Sequence, residues 1–113
     1  MEECIFCKIA EKKIPATVVY ESDTVMAFQD IMPVAPTHVV IIPKKHIETL
    51  WDAQEADMGV LGEIQQVAVK LAHQLNLQKG FRLVSNCNEQ GGQTVFHIHY
   101  HLLGGRMFQW PPG

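Results

Sequence analysis

No stretch of this chain comes near the ~18 consecutive apolar residues of a membrane-spanning helix, so no membrane partner is expected. Basic residues are also scarce. Nine Lys and Arg stand against twelve Asp and Glu, a net charge of -3. Broad binding to nucleic acid or to a membrane surface needs the opposite excess, so no nucleic-acid partner is expected either. Met1-Glu2-Glu3 is acidic, where a secretory signal carries positive charge followed by an apolar run. The expected location is therefore the cytoplasm. Cysteine is limited to three residues, an odd number without a signal peptide, which argues against a disulfide framework. Repeats, low-complexity segments and interdomain linkers are missing. The 113 residues, 47% hydrophobic and 19% charged, suffice for one core and not two. A single domain over residues 1–113 follows.

What is present centres on Phe96-His97-Ile98-His99-Tyr100-His101-Leu102-Leu103. Side chains alternate faces along a strand. His97, His99 and His101 would then share one face, with Phe96, Ile98, Tyr100 and Leu102 on the core face. A helix would scatter the three rings, so the spacing predicts a strand over the whole run.

Before it, Ile5 and Ile9 lie four apart, which suits a short helical turn docked on the core. Residues 17–20 and 25–28 are β-branched or aromatic runs joined by Glu21-Ser22-Asp23-Thr24, a hairpin pattern. Pro33 and Pro36 make residues 30–37 a loop, and His38-Val39-Val40-Ile41-Ile42 reads as a buried central strand. Asp52 with Glu55 forms a capping-box pattern that opens the one long helix. Its apolar face is Val60, Leu61, Ile64, Val67, Ala68, Leu71 and Leu75. Gly59 and Gly62 suggest close packing of that helix on a sheet. Asn76 and Gly80 mark its exit, and His73 falls on its polar face. Residues 81–85 form the next strand, and residues 86–93 a polar turn with flexible backbone. The fold class is α+β: an antiparallel sheet with its main helix on one face.

Those residues carry a family resemblance. Gln93-Thr94-Val95-Phe96-His97-Ile98-His99-Tyr100-His101 resembles the histidine triad superfamily pattern, in which three histidines alternate with apolar residues. Cys4-Ile5-Phe6-Cys7-Lys8-Ile9, Phe28-Gln29-Asp30-Ile31, Ala35-Pro36-Thr37-His38, Ile42-Pro43-Lys44-Lys45-His46-Ile47 and Leu102-Leu103-Gly104-Gly105-Arg106 resemble its nucleotide-binding branch. The ending Trp110-Pro111-Pro112-Gly113 is similar to that branch rather than to the dinucleoside polyphosphate hydrolases. The resemblance implies a five-stranded antiparallel sheet with one long helix and a short N-terminal helix, dimerising into a ten-stranded sheet. It further implies a purine mononucleotide ligand such as AMP or GMP, and hydrolysis of nucleoside 5'-phosphoramidates and aminoacyl-adenylates.

An imidazole attacks phosphorus well when one ring nitrogen is pinned by a carbonyl and the other is bare. His99, central in the triad, is the candidate nucleophile, giving a nucleotidyl-histidine that water cleaves. His101 would orient it, and His97 and His38 would contact phosphate oxygens. By resemblance, Asp30 accepts from the ribose hydroxyls, and Asn86, Gly92, Gln93, Thr94 and the Val95 amide contact phosphate. Thr94 stands where many relatives have serine, which restricts the hydroxyl's rotamer. The base pocket would be lined by Ile5, Phe6, Ile9, Phe28 and Ile31, with Trp110 as a further substrate contact.

Catalysis on this reading needs no cofactor. Cys4-x-x-Cys7 has metal-ligand spacing, but a structural zinc needs four ligands. By resemblance the set is Cys4, Cys7, His46 and His97; the alternative is two reduced cysteines packed as small hydrophobes. Cys87, in the polar turn, reads as a free thiol. Three rival functions use the same residues: nucleotidyl transfer to a sugar phosphate, a transition-metal site on the histidine face, and a nucleotide-binding interaction module.

Overall fold

The structure, a computed structural model, describes residues 3–113; Met1-Glu2, on which part of the leader argument rests, lies outside them. In chain order the elements are α1 (Ile5–Ala10), β1 (Val18–Glu21), β2 (Val25–Gln29), β3 (Thr37–Pro43), two 3-10 turns (Leu50–Asp52 and Glu55–Asp57), α2 (Met58–Gln74), β4 (Phe81–Val84) and β5 (Tyr100–Gly104). The strands form one antiparallel sheet in the order β1-β2-β3-β5-β4. This is the α+β architecture expected from the sequence.

Strand β3 is central because it is apolar on both faces. Val39 and Ile41 join the core beneath α2, together with Leu61, Ile64, Ala68, Leu71, Ile98 and Leu102. Val40 and Ile42 join a second, smaller core on the opposite face, with Ile9, Met26 and Phe28. Each such side chain, removed from water, contributes roughly 1.5–3 kcal/mol. Helix α1 lies over the second core, so its face of the sheet is covered by one turn and leaves room for polar side chains beside it.

Helix α2 begins later than the capping-box pattern at Asp52 and Glu55 predicts. Thr49 caps the first short turn, its hydroxyl accepting the Asp52 N–H. Asp57 then accepts the Gln54 N–H at 2.9 Å and the Lys45 ammonium at 2.8 Å. Buried Asp57 is the residue from which α2 starts, its carboxylate tied back to Gln54 and Lys45 and making no cap to the helix itself. The close packing expected of Gly59 and Gly62 is not found: both are exposed, and a Cβ at either would meet nothing within 4 Å.

The triad strand is also shorter than predicted. Regular pairing begins at Tyr100, and residues 96–99 run on as irregular chain. The register explains this, since β3 pairs with β5 only as far as Ile41 opposite Tyr100. Beyond it Pro43 has no N–H to offer, and its carbonyl accepts from the His97 ring instead. The Ile98 N–H finds the Ile47 carbonyl at 2.7 Å. Phe96, predicted on the core face, is 44% exposed as a result. Ile98, Tyr100 and Leu102 do pack with the α2-side core.

Candidate active site and metal-ligand cluster

His99 is buried just before β5, and its Nδ1 lies 2.8 Å from the His97 carbonyl oxygen. A carbonyl only accepts, so Nδ1 carries the hydrogen and the neutral ring keeps its lone pair on Nε2. The chain's own backbone, bending between His97 and His99, thus selects the tautomer a nucleophile needs. The Phe6 ring of α1 stands edge-on to His99 at 5.0 Å, and His101 does the same from the other side at 5.0 Å.

His38 and His101 come together through sheet register. Val40 pairs with His101, which puts His38, two residues back on the same face, diagonally across from it. His38 Nε2 and His101 Nδ1 are 2.8 Å apart. The Val34 N–H donates to His38 Nδ1 at 3.1 Å, so the His38 hydrogen is on Nε2 and is given to His101 Nδ1. His101 must then carry its own hydrogen on Nε2. One backbone amide thereby polarises a chain of two imidazoles. Burial lowers the His38 pKa against the opposing charge of Asp30. Burial, with His99 and His38 adding to it, holds His101 down to about 4. Asp30 Oδ2 sits 3.3 Å from His38 Nε2, while Oδ1 accepts the Met32 N–H at 2.7 Å.

Asp30, His38 and His101 also form a metal-sized group, the arrangement the transition-metal rival requires. The Val34 amide opposes it. Freeing His38 Nε2 for a metal would move its hydrogen onto Nδ1, where another N–H already points.

The depressed His101 pKa has a consequence for stability. The unfolded ring titrates near the ordinary 6.5 and the folded ring near 4, so between those values only the unfolded chain takes up the proton. Stability is complete above pH 6.5 and is lost as pH falls toward 4. Urea midpoints measured at pH 7.5, 5.5 and 4.5 should fall, and should fall less in His101→Gln. Equal slopes in both proteins would contradict the assignment.

His97 does not stand with the other triad rings. It is 0% exposed, and its Nε2 donates to the Pro43 carbonyl at 2.7 Å. Its Nδ1 faces Cys4 Sγ at 3.3 Å, Cys7 Sγ at 3.5 Å and His46 Nδ1 at 3.2 Å. Both nitrogens are occupied away from His99, so the phosphate contact expected from His97 has no donor to make it. Burial, outweighing the Pro43 hydrogen bond, holds its pKa down to about 4.

Cys4, Cys7, His46 and His97 bring their ligand atoms within 4.8 Å of one another. Tetrahedral zinc with Zn–S ≈ 2.3 Å and Zn–N ≈ 2.0 Å implies edges of roughly 3.3–3.8 Å. The Cys7 Sγ–His46 Nδ1 separation is 3.2 Å and the Cys7 Sγ–His97 Nδ1 separation 3.5 Å, close to those edges. The Pro43 carbonyl holds the His97 tautomer that leaves Nδ1 bare, as is usual for a metal-ligating imidazole. Burial and the neighbouring Cys4 push the Cys7 thiol up to about 11. The donor set fits zinc.

The nucleotide-side residues divide. Phe6 is half-buried between Phe28, at 5.6 Å, and His99. Ile9 and Phe28 are core residues, 8% and 5% exposed, and form the floor rather than the wall. Ile5 and Ile31 are open to solvent at 48% and 95%. Trp110 is exposed, and the Arg82 guanidinium of β4 donates to the adjacent Gln109 carbonyl, so it belongs to the β4 edge.

Gln93 was expected to touch phosphate, and its side chain is instead spent on the loop. It is buried; its Nε2 donates to the carbonyls of Glu48 and Val95, and its Oε1 accepts the Asn88 N–H at 2.8 Å. The loop also closes tightly, since a Cβ on Gly91 would collide with the Cys87 carbonyl, and Gly92 has φ 87°. Asn86 is half-buried at one end of this loop, with Thr94 exposed and Val95 half-buried at the other. A cleft of about 800 Å³ opens beside them between Ile5, His46, Thr94 and Val95. Gln93→Ala would strand three backbone groups, each costing on the order of 1 kcal/mol or more. A loss of ~2–3 kcal/mol in chemical denaturation is expected; a loss below ~0.5 kcal/mol would mean the clamp is idle.

Sequence reasoning missed Val34, Pro43 and Glu48. All three act through backbone atoms, for which residue type carries no signal.

Residues 3–109 match the family described as scavenger mRNA decapping enzyme C-term binding. A HIT family hydrolase from Legionella pneumophila Philadelphia 1 is 55% identical, superposes with a TM-score of 0.96, and aligns over 98% of this chain and 100% of its own. The chain belongs to the histidine triad family. A 14 kDa zinc-binding protein of Brassica juncea is 48% identical over 113 residues, covering 98% of this chain and all of that protein. A histidine triad nucleotide-binding protein from Candida albicans is 33% identical, with a TM-score of 0.83 over 96% of this chain and 83% of that one. This histidine triad chain thus shares its fold with a hydrolase and with a nucleotide-binding protein. No helix of the described residues is long and apolar enough to cross a membrane.

Proposed function

We propose that this histidine triad protein hydrolyses the P–N bond of purine nucleoside 5'-phosphoramidates, and also aminoacyl-adenylates, through a nucleotidyl intermediate on His99. The observation that carries the reading is the 2.8 Å contact from His99 Nδ1 to the His97 carbonyl, which leaves Nε2 as the attacking atom. Attack forms an Nε2–P bond and breaks the P–N bond, the departing nitrogen taking up a proton. Water then attacks the same phosphorus, releasing the nucleoside monophosphate and restoring the lone pair. Splitting one displacement in two lowers the barrier of each.

His101 Nε2–H, at the end of the chain set by Val34 and His38, is the donor for phosphoryl oxygens as they gain charge. That role replaces the one expected of His97. Thr94 is assigned to the leaving side and Asp30 to the ribose. Asn86, Gly92 and the Val95 amide are assigned to phosphate, and Phe6 with Ile31 to the faces of an AMP- or GMP-type base.

Zinc held by Cys4, Cys7, His46 and His97 would be structural, because four protein ligands leave no position for water. The same residues tie α1 to the end of β3. Metal analysis of protein purified without chelator should find one zinc per chain; none would dismiss the site.

The protein is further assigned to the cytoplasm as a homodimer. Pairing into a ten-stranded sheet needs a free edge, and β4 offers one next to β5, the strand that carries His101. Equilibrium sedimentation at monomer mass would overturn it.

Rapid quenching with labelled adenosine 5'-phosphoramidate tests the chemistry. An acid-labile adduct mapping to His99 is expected within the first turnover. Its absence during active turnover would remove the covalent mechanism.

A further inference from the structure

We propose that Cys4 and Cys7 form a modification site of their own: a dithiol that hydrogen peroxide closes to a disulfide, at the expense of the metal ion assigned to the same atoms. The metal half of this inference rests on the zinc reading above; the disulfide half does not.

Three observations place the two thiols for this chemistry. The Cys7 N–H donates to Cys4 Sγ at 3.3 Å, so the Cys4 side chain folds back over the first turn of α1. Both sulfurs belong to the group whose atoms lie within 4.8 Å of one another. An S–S bond of ~2.0 Å then needs at most about 3 Å of approach, within reach of side-chain rotation in a Cys-x-x-Cys turn. Finally, access is unequal. Cys4 is half-buried and lines the cleft beside Ile5, His46 and Thr94, whereas Cys7 is buried. Peroxide therefore meets Cys4 first, and Cys7 waits behind it as the resolving thiol. Exposure thus decides which thiol reacts first and which resolves it. The third thiol, Cys87, stands in the 86–93 turn beside Asn88 and outside the cluster.

The steps balance. Cys4 sulfur attacks one peroxide oxygen and breaks the O–O bond; the departing hydroxide takes a proton, from the Cys4 thiol in metal-free protein or from solvent where zinc holds the thiolate, giving sulfenic acid and one water. Cys7 sulfur then attacks Cys4 sulfur and displaces that oxygen, which leaves as a second water with a proton from the same source. Two thiols are oxidised by two electrons, and one peroxide is reduced. With both sulfurs bonded to each other, His46 and His97 alone remain as donors, too few for a closed zinc site. The ion is released, and α1 loses its tether to the end of β3. Because α1 carries Phe6 against His99, oxidation also loosens the cover of the reactive imidazole.

The test uses the full-length protein as purified, exposed to one equivalent of hydrogen peroxide. Expected are a fall from three titratable thiols to one and the loss of two hydrogen masses within the tryptic peptide ending at Lys8, which contains both cysteines. One equivalent of zinc should pass to a chromogenic chelator for each disulfide formed. Dithiothreitol should reverse the first two changes. Cys87→Ser should close the same bridge, and Cys4→Ser should not. Unmodified cysteines, oxidation of Cys4 to sulfinic acid without a bridge, or a bridge to Cys87 would each overturn the proposal. A disulfide that forms while zinc stays bound to the protein would retain the dithiol and overturn only its competition with metal. None of these readouts depends on hydrolysis, so they stand or fall separately from the phosphoramidate reading.

Discussion

His99→Ala is expected to lower kcat for adenosine 5'-phosphoramidate by about 10⁴-fold or more, with the dissociation constant for AMP within a few fold of wild type. Nucleophiles that form a covalent intermediate carry losses of this size, because the remaining groups bind and polarise the substrate but have nothing to transfer it to. The prediction separates chemistry from folding. His99 gives one hydrogen bond, to the His97 carbonyl, and packs edge-on to Phe6 and His101. Removing the ring leaves a cavity near the surface of the sheet, with a stability cost of about 2 kcal/mol. The protein should remain folded at room temperature. Kinetics of purified His99→Ala, with AMP titrated by calorimetry, check both halves. Retention of more than a few per cent of the rate would move the nucleophile elsewhere. Loss of AMP binding along with turnover would instead mean that the imidazole was holding the pocket together.

The fold was readable because its cues are redundant. The continuous apolar run of β3, the hairpin composition of residues 17–28 and the three- and four-residue spacing along α2 each point to one element. Their mutual packing then leaves few arrangements. Errors came where a local pattern had a tertiary competitor. Asp52 and Glu55 make a good capping box on paper, yet the buried Asp57, pinned by Lys45, takes over as the start of the helix. Alternation over residues 96–103 is equally convincing in isolation. It fails before Tyr100 because β3 stops pairing with the triad strand at Ile41 and ends two residues later in proline.

The site was readable by residue type and not by role. All four nitrogen and sulfur donors of the cluster, the proposed nucleophile and its partners lie among the residues singled out in the sequence. What could not be read is which backbone atom meets each ring. The His97 carbonyl leaves His99 Nε2 bare, the Val34 amide puts the His38 hydrogen on the side of His101, and the Pro43 carbonyl turns His97 away. Imidazoles of the same chemistry are given different partners by main-chain groups.

His97→Ala is where that division has its largest effect on stability. If His97 were a phosphate contact, its loss would lower turnover and leave the fold alone. Its surroundings demand the reverse. The ring is 0% exposed, so its removal opens a cavity of aromatic size, a change that costs ~3 kcal/mol or more in a core. The Pro43 carbonyl, its partner at 2.7 Å, loses a hydrogen bond inside the protein, adding roughly 1–3 kcal/mol. Cys4, Cys7 and His46 are left as three donors around an open position, which weakens any metal they hold. A drop of about 4 kcal/mol or more is expected, or on the order of 15 °C in Tm for a domain of this size. Thermal unfolding should be followed on chelated protein as well as on protein as purified. The cavity and the Pro43 carbonyl act in both, and the metal contributes only to the second. His97→Ala should therefore be destabilised in each, with the wider gap in protein as purified. A variant with wild-type Tm and lost activity would return His97 to the phosphate and undo the separation between the catalytic rings and the cluster behind them.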